Sequence, residues 1–213
     1  TDAIMQWLSA NGALYWMYTV MRMIGRVAFP IFCFLLVEGF LHTHDVKKYA
    51  MRLGLFALLS EIPFDLAFSS KILEFNYQNV FFTLFIGLLT MIAYRAVEEK
   101  EEWGQAWKVI LYILIVAAGM ALAYFLKTDY AEKGVFCIMV LYIFRKKKMW
   151  QLIAGCASFI WETPALFGFI PIAFYNGTRG WKMKYFFYIF YPAHLLILYL
   201  LCYFMGISGY SAV

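Results

Sequence analysis

The chain has few charged side chains and only three histidines. Asp, Glu, Lys and Arg together make up 15% of its 213 residues, whereas 64% are hydrophobic and 21% are aromatic. Soluble domains average about 45–50% apolar residues, so this composition excludes an ordinary soluble domain. One membrane crossing takes about 20 apolar residues, so the length allows about seven spans and no separate soluble domain. The composition predicts an all-α, polytopic integral membrane protein.

Several sequence patterns of metal binding and soluble catalysis are also missing. The cysteines Cys33, Cys137, Cys156 and Cys202 each fall inside an apolar segment without CxxC spacing, which favours packing over ligation or disulfide bonding. The histidines have no ligand spacing, so no metal site is predicted. There is no GxSxG and no glycine-rich phosphate loop. The net charge of +5 comes from short loops, where Lys and Arg set topology, so we expect no nucleic-acid partner.

The apolar runs divide the chain into an interfacial segment at 1–15 and a single helical domain at 16–213. Spans are predicted near 16–41, 49–68, 80–94, 109–126, 134–144, 149–175 and 185–205. The 149–175 stretch is interrupted at 161–164 and at Pro171, so it is either one kinked span or two half-helices.

The basic cluster Arg145–Lys148 is the strongest cytoplasmic marker. Alternation then places loops 42–48 and 95–108 in the cytoplasm and loops 69–79 and 127–133 on the other side. Loop 176–184 faces outward if 149–175 crosses once, although this loop carries three positive charges. A re-entrant or twice-crossing segment would remove that conflict, and the sequence leaves both alternatives open.

Charged residues inside apolar runs make 25–68 the candidate functional region. Arg26, Glu38, Arg52, Glu61 and Asp65 lie in or beside its two predicted helices. A charge near the bilayer centre costs about 2.5–3.5 kcal/mol even on the mildest scale, so these residues need partners, water or a function. Glu61 and Asp65 are four residues apart and share one helix face, which suits acid–base catalysis. Alternatively, they pair with Arg52 or Arg26 and hold helices together.

Two histidines are candidate bases. Glu38 and His42 stand four residues apart, and a neighbouring glutamate can orient a histidine for proton transfer. The alternative is that His42 is a polar turn residue at the interface. His194 lies in the last predicted span, facing the protein interior or a wet cavity, although a backbone hydrogen bond would explain it without catalysis. Asn79 begins a predicted helix, where an N-cap is its simplest role.

Six segments, in order, resemble the TraX family: GRVAFPIFCFLLVEGFLHT, KYAMRLGLFALLSEIPFDLAF, QNVFFTLFIGLL, TDYAEKGV, IPIAFYNGTRG and KYFFYIFYPAHLLILYLL. They cover most of the chain, from about Ile24 to Leu201. The family's namesake is described as an inner-membrane acetyltransferase that acetylates the N-terminal alanine of conjugative pilin. The resemblance implies a bacterial inner-membrane enzyme that transfers an acetyl group from acetyl-CoA to an amine or hydroxyl. The implied acceptor is a protein N-terminus or a small envelope molecule.

The positions that match the family's segments are Arg26, Glu38, His42, Arg52, Glu61, Asp65, Asn79, Asp129 and His194. We expect catalytic roles for Glu38, His42, Glu61, Asp65 and His194. The expected contacts with acetyl-CoA are Arg26 and Arg52, whose guanidinium groups suit its phosphates, Asn79, and Arg179 and Lys182 if their loop is cytoplasmic. Asn79 or an arginine is the expected donor to the oxyanion of the transfer step. Family members typically begin with a span that ends in an Asp-His pair, whose histidine is the presumed base in related enzymes. We expect that span to be trimmed or absent here, with His42 or His194 as the substitute base.

Two other classes of protein fit the same residues. A small transporter or flippase would also carry intramembrane carboxylates and proline-interrupted spans, although no internal repeat is apparent. In a structural subunit of an envelope assembly, Glu61 and Asp65 could be neutralised without loss of function, provided that the protein still folds. The oligomeric state and the identity of the acceptor are not given by the sequence.

Overall fold

The computed structural model describes residues 12–69, 74–178 and 184–204. Its elements in chain order are α1 (Gly12–His42), α2 (Val46–Ser69), α3 (Val80–Glu98), α4 (Gln105–Phe125), α5 (Ala131–Ile143), α6 (Lys148–Ser158), a 3-10 helix (Thr163–Gly168), α7 (Phe169–Phe174) and α8 (Lys184–Phe204). The described residues form no strand beyond an isolated bridge between Gln78 and Thr128, so the predicted all-helical fold is confirmed. Of the predicted interfacial segment, residues 1–11 lie outside the described residues.

Apolar side chains cover much of the outer surface of the bundle. Three of the described helices are long and apolar enough to cross a membrane: Tyr15–His42, Val80–Glu98 and Gln105–Phe125. In α4, which the structure describes throughout, the buried residues are Gly119 and Ala123, while large residues such as Ile113 and Leu114 are exposed. A helix that is apolar on every face is typical of a membrane span. The molecule is an integral membrane protein, and the total of seven spans stays a prediction.

The core is centred on α5. This helix packs against α1, α3, α4 and α6, and its residues Val135, Ile138 and Leu141 are fully buried. A Cβ atom at Gly134 would lie 2.5 Å from the Thr83 Cγ2 atom, so α5 can approach α3 this closely because glycine has no side chain there.

The two helices of the candidate region 25–68 have different neighbours. The first, α1, packs against α3, α5, the 3-10 helix and α7, whereas α2 packs against α3 and α8. Of their main neighbours, α3 packs against both helices.

The stretch from Lys148 to Tyr175 turns back on itself. Lys148 Nζ, at its start, donates a hydrogen bond to the Tyr175 carbonyl, at its end. Glu162, in the turn after α6, contacts Arg26 of α1. This stretch therefore consists of two short helical arms that enter and leave on one side. The loop after Tyr175 therefore begins at the end of the bundle that carries the basic cluster. Arg179 and Lys182 themselves lie outside the described residues.

These contacts define two ends of the bundle. The basic end contains the cluster Arg145–Lys148 together with His42, where α1 finishes. The far end contains the loops at 74–79 and 126–130, the turn at Glu162, and Arg26. About 24 Å of helix axis separates Arg26 from His42 along α1.

Candidate functional site

Glu61 lies near the far end of α2 and is almost completely buried, with 8% exposure. Asn79 Nδ2 donates to Glu61 Oε2 and, at 2.8 Å, to the Ala57 carbonyl. The Asn79 backbone N–H donates to the same Glu61 oxygen at 3.3 Å. Asn79 Oδ1 accepts from the Phe81 N–H at 2.9 Å, which caps α3. Both hydrogens of the Asn79 amide are therefore used, and one residue both caps α3 and holds Glu61.

Three buried oxygen atoms in this part of α2 have no hydrogen-bond partner among the described residues. They are Ser60 Oγ, Glu61 Oε1 and Asp65 Oδ1. Asp65 is 1% exposed, and its other oxygen accepts from the Glu74 N–H at 2.8 Å. An unpartnered buried polar group costs about 1–3 kcal/mol, so three such atoms on neighbouring residues make this part of α2 a candidate functional site.

The described residues do not show the predicted pairing of these carboxylates with arginine. Arg26 Nη1 instead donates to Glu162 Oε2 at 2.9 Å. Arg52 is exposed on α2, about 2.5 turns before Glu61. Among the described residues, Glu61 and Asp65 therefore do not form the predicted ion pairs with Arg26 and Arg52.

Two loops at the far end are joined by hydrogen bonds. The Tyr77 hydroxyl donates to Asp129 Oδ1 at 2.6 Å. The Asp129 N–H donates to the Gln78 carbonyl at 2.8 Å, and the Gln78 N–H donates to the Lys127 carbonyl at 3.0 Å. Thr83, on α3, donates through its hydroxyl to the Asp129 carbonyl. These bonds fix the position of the Asp129 carboxyl relative to α3.

The loop that carries Asp129 is also strained. Lys127, Tyr130 and Ala131 have φ values of 52°, 64° and 42°, in a region that residues with a side chain rarely adopt. Tyr130 is held there by its ring, which stacks on Phe29 with the centroids 3.5 Å apart. Strained backbone of this kind persists where the surrounding contacts fix it, and it is concentrated at functional sites.

The charges at the far end affect one another. Burial raises the pKa of the Asp129 carboxyl, while the hydrogen bond from Tyr77 and the positive charge of Arg26 act in the opposite direction. Burial and the nearby Asp129 also raise the pKa of Tyr77, and burial raises the pKa of Tyr130 to about 12. Both tyrosines therefore keep their protons at neutral pH, and Asp129 is the group of this loop that can exchange a proton.

Tyr191 of α8 lies beside the start of α3. Its ring packs edge-on against Phe81, with the centroids 4.9 Å apart. We call Glu61, Asp65, Tyr77, Asn79, Asp129 and Tyr191 the far-end polar cluster.

His42 lies at the basic end, and both His42 and His194 are hydrogen-bonded to a carbonyl of their own helix. His42 Nδ1 donates to the Glu38 carbonyl at 2.9 Å and lies 3.8 Å from Glu38 Oε2, but the His42 side chain is 69% exposed at the basic end. His194 Nδ1 donates to the Phe190 carbonyl at 2.9 Å, and its ring stacks on the Phe190 ring. The structure thus brings Glu61, Asp65 and Asn79 together and leaves Glu38 and His42 at the other end.

Three residues of the far end were not predicted from the sequence: Tyr77, Glu162 and Tyr191. Glu162 lies in the polar interruption at 161–164, which is a visible signal. Asp129 belongs to the TDYAEKGV segment, but a loop aspartate alone does not indicate a partner. Among the described residues, no group of three or more His, Cys, Asp or Glu side chains could hold a metal ion.

The fold and the far-end polar cluster define the class: a membrane-embedded helical bundle that encloses ionisable side chains at one end. The chain belongs to the TraX family, because the family model described as TraX protein matches residues 7–202. This confirms the resemblance seen in the sequence. The chain is also similar to the probable fimbrial assembly protein FimC, serogroup H1, of Dichelobacter nodosus, with 27% identity over 217 residues, 86% of this chain and 83% of the relative. No solved structure matches the chain.

Proposed function

We propose that this protein is an acetyltransferase of the bacterial inner membrane, which moves an acetyl group from acetyl-CoA to an amine or hydroxyl acceptor. Membership of the TraX family supports the reaction class. The description of the Dichelobacter relative as a fimbrial assembly protein supports an acceptor among the subunits of a surface appendage. The observation that carries the choice of site is the buried Glu61 carboxylate, which has one oxygen held by Asn79 and one without a partner.

Glu61 is the proton acceptor in this proposal. Asn79 fixes Oε2, so Oε1 is left to take the N–H or O–H proton of the acceptor. Acetyl-CoA supplies an acetyl group activated as a thioester. The acceptor atom bonds to the acetyl carbon as the carbon–sulfur bond breaks, and Glu61 passes the proton on to the departing sulfur. Asp65, which also has a free oxygen one turn away, is a second proton carrier at the same place.

Negative charge develops on the carbonyl oxygen during transfer and needs a hydrogen-bond donor. Asn79 was predicted for this task, but both of its amide hydrogens are taken by Glu61 and the Ala57 carbonyl. We therefore assign Asn79 to holding Glu61. Tyr191 is the proposed donor for the developing charge instead, because its ring packs against Phe81 of α3, two residues after Asn79.

We place the approach of acetyl-CoA at the basic end. Arg52 is exposed on α2 between that end and Glu61, and a guanidinium suits phosphate contacts. Arg179 and Lys182 are one and four residues after Thr178 in the sequence. The chain enters this loop at Tyr175, whose carbonyl is bonded to Lys148 at the basic end. These three cations are the proposed phosphate contacts. Glu38 and His42 share this end and have no part in the transfer step.

The experiment that tests the proposed function is a transfer assay with purified protein in lipid nanodiscs. Labelled acetyl-CoA is supplied with a pilin-type peptide that has a free N-terminus. The same peptide with a blocked N-terminus and an acceptor with only hydroxyl groups are run in parallel. We expect label on at least one acceptor, together with release of free CoA. If no acceptor is labelled and acetyl-CoA does not shift thermal unfolding, the proposed function is wrong.

A further inference from the structure

Two surface grooves lie at the basic end of the bundle and carry opposite charge. The first has a volume of about 430 Å³ and is lined by Ile143, Phe144, Lys146, Lys147 and Trp150. The second has a volume of about 350 Å³ and is lined by Glu102, Trp103, Gly104, Trp107 and Leu111. Both grooves are of similar size and contain tryptophan. Only the first of the two is lined by lysine, so it alone offers a site for an anion.

The first groove lies where two apolar helices meet a basic turn. α5 ends at Ile143 and α6 begins at Lys148. The Trp150 side chain is 55% exposed, and tryptophan is enriched at the level of the lipid headgroups. The groove therefore has an apolar wall of Ile143, Phe144 and Trp150 beside two ammonium groups. An anionic phospholipid is complementary to it, because the lipid carries a phosphate beside apolar acyl chains.

The neighbours of this groove neutralise only part of its positive charge. Arg145, the adjacent cation, is paired with Glu98, whose two oxygens accept from Arg145 Nη2 at 2.9 and 2.6 Å. Lys146 Nζ lies 3.8 Å from the same carboxylate, and the Lys146 side chain is 77% exposed. The Arg145–Glu98 pair cancels its own charges, so Lys146 and Lys147 give the groove its net charge.

We propose that the groove formed by Ile143, Phe144, Lys146, Lys147 and Trp150 binds the headgroup of an anionic phospholipid. The phosphate lies between the Lys146 and Lys147 ammonium groups, and the glycerol and upper acyl chain lie against Trp150 and Phe144. Basic pockets at the cytoplasmic ends of membrane helices are suited to such headgroups. This inference does not depend on the proposed acetyl transfer, because the proposed phosphate contacts of acetyl-CoA are Arg52, Arg179 and Lys182, and none of them lines the groove.

The test is native mass spectrometry of the protein released from bilayers that contain phosphatidylcholine and phosphatidylglycerol in equal amounts. The wild type should retain phosphatidylglycerol in preference to phosphatidylcholine. One basic residue near a charged headgroup contributes about 1 kcal/mol, so the Lys146→Gln/Lys147→Gln variant should retain about 30-fold less phosphatidylglycerol. The matched control is Lys47→Gln/Lys100→Gln, which removes the same charge from exposed positions at the same end and should behave as the wild type.

Three results would overturn the lipid site. Equal losses of phosphatidylglycerol in the two double variants would show a diffuse charge effect without a site. Equal retention of the two lipids by the wild type would show no headgroup preference. Displacement of bound phosphatidylglycerol by added CoA, at concentrations where inorganic phosphate has no effect, would assign the groove to a nucleotide. Thermal unfolding of each variant checks that the protein remains folded.

Discussion

Glu61 is distinguished from the other intramembrane charges by the unequal surroundings of its two oxygens. One oxygen is held by the side chain and the backbone of Asn79, and the other is buried without a partner among the described residues. A carboxylate that only served to join helices would be expected to use both oxygens or to pair with a cation. Arg26, the cation on α1, forms its ion pair with Glu162. This asymmetry is the residue-scale basis of the proposed catalysis.

Much of this site could be predicted from residue types, and some of it could not. Glu61 and Asp65 were predicted because charge inside an apolar run is conspicuous, and Asn79 because a polar residue precedes a helix. Tyr77 and Tyr191 give no such signal in a chain with 16 tyrosines. The Tyr77 hydroxyl donates to Asp129, and the Tyr191 ring packs against Phe81 close to Asn79. Only the tertiary structure shows these contacts.

The Asp129 carboxyl gives a pH-dependent prediction. Burial raises its pKa in the folded protein, so between the unfolded and the folded pKa the native state binds more protons. Stability then falls as pH rises through this range. Asp129→Asn keeps an oxygen that can accept from Tyr77 but cannot titrate. We expect the melting temperature of the wild type, relative to this variant, to decrease as the pH is raised from 4 upward.

The measurement is thermal unfolding of both proteins in the same detergent across a pH series. Asp45→Asn serves as the control, because a bond from the Lys48 N–H lowers the pKa of this exposed carboxyl. Its contribution to stability is complete above the unfolded pKa and is lost only at lower pH, so the difference between the wild type and Asp45→Asn should stay constant from pH 4 upward. A constant difference between the wild type and Asp129→Asn at every pH would contradict the account of Asp129.

At the scale of elements, apolar runs predicted the helices well, and the contacts between helices were not predicted. The fold-back of 148–175 depends on the bond from Lys148 to Tyr175 and on the contact of Glu162 with Arg26. Neither can be deduced from periodicity, because each joins residues far apart in the chain. The same holds for the loop at 126–130, whose position is set by hydrogen bonds to Gln78 and Thr83.

The close approach of α5 and α3 gives a prediction about a single methyl group. In Gly134→Ala the new Cβ would lie 2.5 Å from Thr83 Cγ2 and 2.9 Å from Tyr130 Cβ. Overpacking of this kind typically costs about 1–3 kcal/mol, and here it also displaces the residue next to Asp129. We expect a lower melting temperature in detergent and reduced acetyl transfer.

The matched control is Gly25→Ala, which is also in a helix interior, on α1. A Cβ there would meet no atom within 4 Å among the described residues. Alanine favours helix over glycine by up to about 1 kcal/mol, so this variant should be as stable as the wild type or more stable. Equal destabilisation by the two substitutions would contradict the packing described for Gly134.

At the scale of the whole molecule, the bundle separates a cationic end from an end with buried carboxylates. His42, Glu38 and the basic cluster lie at one end, and the far-end polar cluster lies at the other. The sequence placed Glu38, His42, Glu61 and Asp65 in one candidate region because α1 and α2 are adjacent in the chain. The structure divides them, since each helix runs from one end to the other.

The fold-back of 148–175 makes a topological prediction. Single cysteines at Lys47→Cys and Asn176→Cys should react with a membrane-impermeant thiol reagent from the same side, and Asn76→Cys from the opposite side. All three positions are exposed, and the background is a variant in which the four native cysteines are replaced by alanine. Labelling of intact cells is compared with labelling of inverted vesicles. Reaction of Asn176→Cys on the same side as Asn76→Cys would contradict the fold-back.

The most direct test of the central claim is the rate of acetyl transfer by Glu61→Gln, compared with the wild type and with Glu38→Gln at the other end. Proton transfer by a positioned side chain contributes about 100- to 10,000-fold to rate, so Glu61→Gln should lose at least about 100-fold in kcat while it still unfolds cooperatively and binds acetyl-CoA. Glu38→Gln should keep a rate near that of the wild type. Full activity in Glu61→Gln, or loss of activity in Glu38→Gln alone, would contradict the account and move the reaction to the basic end.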